Sequence, residues 1–243
     1  MAVHPLNGAF ERINRAEELF VELKRHVDAF GKSYLESVEI YFDPNPPYHA
    51  YERTPFVFPR PPSIISILLG EICYNLRCAL DYLIFELARF DSGVVQNNTK
   101  FPIDDTPQKF ASNITSKLKG VSRPHIEAIE TLQPYKGRAW IAVLRDISNP
   151  DKHRVLTATG QVHIAEIVRN GITPSVAHNV STKRRAKRPD GTEVEVELIA
   201  TISILIPIKG PALGPIGSPL EDALQNLISE IRLIIEAFKP EFE

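Results

Sequence analysis

The chain has 243 residues, of which 43% are hydrophobic and 24% are charged, and its formal net charge is -2. This composition is typical of a globular protein, and a chain of this length can bury a sizeable core. A net charge so close to zero excludes a global field that would attract nucleic acid or an anionic membrane.

The cysteines and the apolar runs indicate the cellular compartment of the chain. Cys73 and Cys78 are too far around a helix to bridge each other, and no disulfide pattern is present, so we expect a reducing, cytoplasmic location. Met1 to Arg15 carry no apolar signal segment. The runs Ile64–Leu69 and Ile199–Ile208 are too short to span a bilayer as helices, so we expect no membrane contact.

Three long amphipathic helices are predicted from apolar residues at three- and four-residue spacing. The first covers about residues 10–30, with Gly31 as its C-cap. The second has Ser63 as its N-cap and ends at Asp91-Ser92-Gly93. The third opens with the capping box Ser218-Pro219-Leu220-Glu221. Because the second helix is apolar on most sides, we expect it to be buried.

Alternation with a period of two predicts strands. Val38–Phe42 and Tyr51–Phe58 form an expected antiparallel pair, and the strongest strand pattern covers Thr192–Ile208. Pro189-Asp190-Gly191 fits a three-residue hairpin loop. Counting outward from that loop pairs a basic residue with an acid three times, namely Lys187 with Glu193, Arg185 with Glu195 and Lys183 with Glu197. The acids neutralise the basic run, which favours a hairpin over a nucleic-acid site.

Shorter elements complete the expected fold. Helices are predicted near Gln108–Leu118, Pro124–Leu132 and Arg138–Ile147, and a further strand over Gln161–Arg169, before an Asn170-Gly171 turn. The first and last helices each need a partner for their apolar seams, and the second helix offers one. The sequence therefore predicts an α+β fold, with long amphipathic helices packed on an antiparallel sheet, in a single domain of residues 1–243.

The second helix carries four polar residues among its apolar ones, Glu71, Asn75, Arg77 and Asp81. A charge inside a core is costly unless it is paired. The spacing places Asn75 one turn from Glu71 and Arg77 one turn from Asp81. One interpretation is an internal Arg77–Asp81 ion pair, with Glu71 and Asn75 holding a neighbouring backbone or side chain. The other is a polar pocket between helices.

A second polar cluster is the run Asn149-Pro150-Asp151-Lys152-His153-Arg154. Pro150 must break or kink the preceding helix, and a new helix can begin there with Asn149 as N-cap and Asp151 in its first turn. His153 could serve as a general acid or base. Lys152 or Arg154 could bind a phosphate, helped by the N–H groups of the helix start. The alternative is a capped helix start whose charges are solvated.

Other catalytic patterns are absent from the sequence. It has no Gly-rich phosphate loop, no G-x-S-x-G and no H-E-x-x-H, so no cofactor is expected. The remaining histidines, His125 among them, lack metal-ligand spacing, so no metal is expected. Asp104-Asp105 lies in an expected loop and fits a turn or cap pair better than a catalytic dyad.

Four segments in the middle of the chain resemble those of a family of uncharacterised bacterial proteins. They are Asn75-Leu76-Arg77-Cys78-Ala79-Leu80-Asp81-Tyr82-Leu83, Phe101-Pro102-Ile103, Leu132-Gln133-Pro134-Tyr135 and Asn149-Pro150-Asp151-Lys152-His153-Arg154. This resemblance implies a family but no activity.

A second resemblance is to the HEPN helical bundles, many of which are metal-independent RNases. In those bundles an arginine shortly before a histidine sits near a helix start, beside a polar residue. Asn149 and His153 match the polar residue and the histidine. The arginine departs from the pattern, because Arg145 lies too far upstream and Arg154 follows the histidine, so Arg77 would have to substitute across the bundle.

Three hypotheses follow from these clusters. In the first, the chain cleaves RNA without a metal: His153 is the general acid or base, Arg77 and Lys152 hold a phosphate, and Asn149 and Asp81 orient them. In the second, the chain is a non-catalytic module that binds a small anion or a partner protein at the same place. In the third, both clusters are one structural network. The apolar seams also leave room for a homodimer.

Overall fold

A computed structural model gives the structure of this chain and describes residues 4–53, 60–142, 144–146, 159–165, 178–205 and 220–243. The α-helices whose bounds fall within those ranges are α1 Asn7–Ser37, α2 Ser63–Ser92, α3 Pro107–Lys117, α4 Arg123–Thr131 and α5 Leu220–Phe238. Residues 142 and 144–146 are also helical. The strands described are β1 Glu39–Phe42, β2 Ala50–Arg53, β3 Thr159–Ala165, β4 His178–Lys187 and β5 Glu193–Leu205. Short 3-10 helices cover Pro134–Lys136, Ala139–Ile141 and Lys239–Phe242.

The core is built where α1, α2 and α5 pack on one another. Each helix contributes a row of buried apolar side chains at helical spacing, such as Ile13 and Leu23 on α1, Leu76 and Leu83 on α2, and Ile231 on α5. This confirms the prediction that the first, second and last helices share one core. The strands β4 and β5 lie against α1, so the fold is of the α+β class with helices packed on an antiparallel sheet.

The first helix is longer than its pattern suggested. It runs from Asn7 to Ser37, and Gly31 is a buried residue inside it, so the prediction of a C-cap at Gly31 was wrong. The reason is that the apolar seam continues beyond Gly31 with Tyr34 and Leu35, which are both buried. Packing of this last part outweighs the cost of about 1 kcal/mol for one glycine in a helix.

The second helix ends where it was predicted to end, and part of its surface is exposed. Gly93 adopts the left-handed conformation (φ 70°) that closes a helix. The N-cap is Pro62 rather than Ser63. The prediction that α2 is buried is confirmed for most of its apolar stretch. It is wrong for Ile67 and Tyr74, which are half exposed, and for Phe90, which is 56% exposed.

The length of α2 also corrects the expectation about its apolar run. Among the described helices, α2 is long and apolar enough to cross a membrane by length and composition, with a mean hydropathy of 1.4. However, 61% of that stretch is buried inside the fold. A mostly buried helix of this kind is typical of a protein core.

The sheets confirm the predicted strand pairs. β1 pairs with β2 in an antiparallel sheet, and a separate sheet has the strand order β3-β5-β4. In the β4–β5 hairpin the three predicted pairs are present, with Lys183 opposite Glu197, Arg185 opposite Glu195 and Lys187 opposite Glu193. Gly191 takes a φ of 89° in the loop, which explains the glycine at that position.

One side chain joins the hairpin to the end of α1. Arg184 on β4 donates a hydrogen bond to the carbonyl of Val38 and another, 3.2 Å long, to the carbonyl of Leu35. Carbonyl groups at a helix C-terminus lack partners within the helix and carry partial negative charge. The last turn of α1 has no basic residue of its own, so Arg184 provides the cation from another element.

The other predicted elements agree in part. The short helices α3 and α4 confirm two predictions, and the region expected to be helical from Arg138 begins as the 3-10 helix Ala139–Ile141. The described part of the next strand is Thr159–Ala165. The Asn149–Arg154 kink, the Asn170-Gly171 turn and Ser218-Pro219 of the capping box lie outside the described residues.

We expect Arg184→Ala to lower the free energy of unfolding by about 1–3 kcal/mol, because carbonyl groups at the end of α1 lose a charged donor. Arg185→Ala is the matched control, since Arg185 is exposed on the opposite face of the same strand. The control should change stability by no more than about 0.5 kcal/mol. Equal losses in the two variants, measured by urea denaturation, would contradict the role of Arg184.

Candidate functional site

The segment Phe101–Asp104 is buried, yet it belongs to neither a helix nor a strand. A buried main chain without regular structure must find other partners for its N–H and C=O groups, because each unpaired group costs free energy. The neighbours of this segment define the candidate site.

The predicted Arg77–Asp81 ion pair is confirmed, and it holds Phe101. Arg77 Nη2 lies 3.3 Å from Asp81 Oδ1. The Phe101 N–H donates to Asp81 Oδ1 at 2.8 Å, and the Phe101 carbonyl accepts a hydrogen bond from Arg77 Nη2. The two charged side chains therefore bind the two polar main-chain groups of one residue. The pair is only partly buried, with exposed side-chain fractions of 19% and 27%.

The other end of the segment is held by the chain that follows α4. The Asp104 N–H donates to Gln133 Oε1 at 3.0 Å, and Gln133 Nε2 donates to the Ile129 carbonyl at 3.1 Å. The Asp104 carboxylate accepts hydrogen bonds from Asn113 Nδ2 on α3, at 2.9 Å to each oxygen. Asp104 is therefore a buried structural acid, which corrects the interpretation of Asp104-Asp105 as a turn or cap pair.

Two cations border this segment. Burial lowers the pKa of Lys117, at the end of α3; the charge of Asp104 opposes this shift, and the charge of Arg77 adds to it. Arg145 Nη1 lies 2.7 Å from Asp105 Oδ2 and Arg145 Nε lies 2.8 Å from Asp146 Oδ1. We call Arg77, Asp81, Phe101–Asp105, Lys117 and Arg145 the clamp layer.

The other two residues of the first polar cluster, Asn75 and Glu71, do not belong to the clamp layer. Asn75 is buried, donates to the Glu71 carbonyl at 2.8 Å and accepts from Arg12 on α1 at 3.2 Å. This confirms that Asn75 holds a neighbouring side chain. The Glu71 side chain is exposed, so its predicted place in a buried cluster was wrong. Asn75 and Glu71 lie on a different side of α2 from Arg77 and Asp81, because the two pairs are offset around the helix.

The second polar cluster follows the clamp layer closely in the sequence. Asn149, Asp151, Lys152, His153 and Arg154 lie outside the described residues. The described chain before them ends at Asp146, beside the Arg145–Asp105 contact. Residue 147 therefore follows directly from the clamp layer.

Segments that carry the first resemblance meet at the clamp layer. Arg77 and Asp81 come from the first, Phe101 from the second and Gln133 from the third. The shared feature of these segments is the burial of one irregular stretch of main chain. That structural role needs charged and amide side chains, and it does not require catalytic activity.

A further cluster, which sequence reasoning missed, lies at the end of α2. His125 Nδ1 is 2.8 Å from Asp91 Oδ2, and His125 Nε2 is 3.4 Å from Glu241 Oε2. Asp91 also accepts a hydrogen bond of 2.7 Å from the Ser122 N–H, and Ser122 Oγ lies 3.1 Å from His125 Nδ1. The serine and the aspartate share one ring nitrogen, so they do not form a nucleophilic triad, which uses both.

This cluster links three distant parts of the chain, namely α2, the start of α4 and the C-terminal 3-10 helix. The sequence separation of 34 residues between Asp91 and His125 left no local signal for it. Within the described ranges, no group of three or more His, Cys, Asp or Glu residues is arranged to hold a metal ion.

Comparison of the chain with protein-family models, with curated proteins and with solved structures found no match. Its function must therefore be argued from the residues of the site.

Replacing Asp81 with alanine should lower the free energy of unfolding by about 2–3 kcal/mol, because the buried Phe101 N–H then lacks an acceptor. The loss should stay below the roughly 3–5 kcal/mol of a fully buried pair, because Asp81 is partly exposed. Chemical denaturation measures both this variant and its matched control, Glu71→Ala, an exposed acid on the same helix. The control should stay within about 0.5 kcal/mol of the parent.

The losses for Asp81→Ala and Arg77→Ala should not add, because both variants release the same residue. We expect the double variant to lose about 0.5–3 kcal/mol less than the sum of the single losses. Additive losses would mean that the two side chains do not act together on Phe101.

Proposed function

We propose that this chain is a non-catalytic module that binds a small phosphate-bearing anion between the clamp layer and the run Asn149–Arg154. The observation that carries the proposal is Lys117, a partly buried lysine whose surroundings make its positive charge costly. An anion would repay that cost, since it stabilises the ammonium form.

The balance of charge around Lys117 favours an anion. Its pKa is lowered first by burial, opposed by Asp104, lowered again by Arg77 and Lys109, and opposed by Asp81. Lys117 and the groups that act on it thus comprise three cations against two carboxylates. Both carboxylates already accept main-chain or amide hydrogen bonds. Arg77 is held by Phe101 and Asp81, so Lys117 and Lys109 are the cations available to an incoming phosphate.

The run Asn149–Arg154 would supply the other half of the site. It carries Lys152 and Arg154, and its predicted helix start would present N–H groups to an anion. Because Arg145 contacts Asp105 and Asn149 lies four residues after Arg145, this run follows the clamp layer after only a few residues. Chain connectivity therefore favours its participation.

The non-catalytic form of the proposal rests on the use of Arg77 and Asp81. In the RNA-cleavage hypothesis, Arg77 holds a phosphate and Asp81 orients the catalytic groups. Their hydrogen bonds to Phe101 give each a structural task instead. A guanidinium that already donates to a carbonyl has fewer N–H groups left for a substrate phosphate.

Metal-independent RNA cleavage of the HEPN type is the second candidate, with His153 as general acid or base. The Arg145–Asp105 contact favours it, because that contact holds Arg145, eight residues before His153, in the clamp layer. In this form Lys117 and Lys152 would hold the phosphate. We also propose that the chain belongs to the family of uncharacterised bacterial proteins that it resembles, and that it is located in the cytoplasm.

Pyrophosphate should bind the parent protein in a calorimetric titration, and Lys117→Met should weaken binding by about tenfold, as expected for the loss of one charged contact. Lys32→Met, which removes an exposed lysine of α1 outside the clamp layer, is the matched control and should bind as the parent does. Identical affinities for parent, Lys117→Met and control would contradict the proposal.

The affinity for pyrophosphate should also fall as the pH rises from neutral to alkaline. The pKa of Lys117 lies below that of an ordinary lysine, so Lys117 loses its charge earlier in this range, and the bound anion loses a partner. Lys117→Met should show a flatter decline over the same range. A decline of equal steepness in both proteins would assign it to other groups.

An RNA-cleavage assay in EDTA, comparing the parent protein with His153→Ala, separates the two candidates. Cleavage that disappears in a folded His153→Ala variant would establish the second candidate and replace the first. The non-catalytic proposal predicts that neither protein cleaves RNA, while both still bind pyrophosphate.

A further inference from the structure

One exposed face of the fold combines aromatic side chains with an arginine. Its α2 residues are spaced by three and four, so they lie on one side of the helix, and an arginine of α1 reaches this side. We call this set the Arg12 face, and its members are Arg12, Ile67, Glu71, Tyr74, Cys78 and Tyr82. Ile67 is 52% exposed, Tyr74 50% and Tyr82 39%. Large apolar and aromatic side chains exposed in one row are typical of a surface that binds another protein.

The Arg12 side chain is held in place by an amide and a hydroxyl. It donates to Asn75 Oδ1 at 3.2 Å and to the Tyr82 hydroxyl at 3.3 Å, and its guanidinium lies 5.7 Å from the centre of the Tyr82 ring. Asn75 is buried and donates its own amide N–H to the Glu71 carbonyl, so its oxygen is left for Arg12. The Tyr82 ring packs on Gly8, where an added Cβ would come within 3.1 Å of it. Arg12 is therefore ordered before a partner binds, which lowers the entropic cost of binding.

Among the residues that the structure describes, Arg12 has no carboxylate partner. The hydrogen bond to Tyr82 raises the pKa of Arg12 most, burial opposes this rise, and Cys78 and Tyr74 add to it. These groups are two phenols and a thiol. A guanidinium has five N–H groups, and Arg12 uses one for Asn75 and one for Tyr82. The N–H groups that remain can bind a carboxylate, the anion whose shape a guanidinium matches best.

Glu71 gives the same face a negative charge at a defined separation from Arg12. Arg12 lies between Asn75 and Tyr82 along α2, and the midpoint of those two positions is between seven and eight residues after Glu71. At about 1.5 Å per residue this separation is roughly 11 Å. Salt at physiological strength screens charges beyond about 8 Å, so the acid and the arginine do little to neutralise each other. The exposed Tyr74 lies between them.

We propose that an amphipathic helix of another protein binds the Arg12 face, with a carboxylate of that helix on Arg12 and a basic side chain, seven residues away, on Glu71. Charges seven residues apart lie on one side of a helix and about 10.5 Å from each other, which matches the separation on the Arg12 face. Apolar side chains in the same row of the partner helix cover Ile67, Tyr74 and Tyr82.

The extent of the Arg12 face is what favours a helix over a small carboxylic acid. Its exposed side chains run from Ile67 to Tyr82, which is roughly 22 Å along α2 at about 1.5 Å per residue. A small acid on Arg12 would leave Ile67 uncovered, whereas a helix of about five turns covers the whole row. The proposal does not depend on the anion site, since none of these residues belongs to the clamp layer.

A designed peptide provides the probe for this face. It is a capped, fluorescently labelled helical peptide of alanine and glutamine, with one row of Leu, Glu, Leu, Lys and Leu at alternating four- and three-residue spacing. Fluorescence anisotropy should show binding to the parent protein. The same peptide with Gln in place of Glu should bind about tenfold more weakly, because Arg12 loses its carboxylate. The peptide with Lys in place of Glu should bind more weakly still.

Variants of the protein assign the binding to the Arg12 face. Arg12→Glu should reverse the order of the peptides, so that the one with Lys in place of Glu binds best. Tyr74→Ala removes an exposed ring and should weaken binding of the Glu peptide by about tenfold without loss of the fold. The matched control, Lys32→Glu, reverses an exposed charge of α1 outside the Arg12 face and should bind as the parent does. Thermal unfolding of each variant checks that the fold is retained.

Three outcomes would overturn the proposal. One is a parent protein that does not bind the Glu peptide at about 1 mM, the weak end of specific association. Another is equal affinity for the Glu, Gln and Lys peptides, which would leave Arg12 without a role. The third is binding that Tyr74→Ala does not weaken, since the peptide would then occupy another surface.

Discussion

The fold depends on how one irregular stretch of chain, Phe101–Asp104, is buried. Its N–H and C=O groups cannot use a helix or a strand ladder, so they require side chains. Arg77 and Asp81 supply a donor and an acceptor to Phe101, and Gln133 supplies an acceptor to Asp104. These two partly buried charges are tolerated on α2 because they hold each other and the main chain at once. Packing of α3 and of the chain after α4 follows from this attachment.

The same attachment organises the surface of α2. One side of the helix binds Phe101, another packs on α1 and α5, and a third, which carries Ile67 and Tyr74, is exposed. The arginine that could have held a phosphate is bound to Phe101, whereas Lys117 keeps a charge that burial disfavours. This division of tasks is why we assign anion binding to Lys117.

The sequence predicted what local patterns determine. Heptad-like spacing located α1, α2 and α5, and alternation with a hairpin loop placed Lys187 opposite Glu193 in the correct register. The Arg77–Asp81 pair was predictable because it lies within one turn of a helix. The shared binding of Arg77 and Asp81 to Phe101 was not predictable. Phe101 is 20 residues from Asp81, and a local sequence pattern does not report contacts across the fold. The role of Lys117 and the His125–Asp91 contact were not predicted for the same reason. The exposure of Tyr74 was not predictable either, because it depends on which faces of α2 the other helices cover.

Hydrogen exchange of the Phe101 amide tests the central claim most directly. An amide outside regular structure normally exchanges quickly, and the hydrogen bond to Asp81 should instead protect it as strongly as the core amides of α2. Protection should fall in Asp81→Ala, which removes the acceptor, while the core amides of α2 keep theirs. Rapid exchange of the Phe101 amide in the parent protein would show that the Arg77–Asp81 pair does not hold the main chain, and would contradict the account.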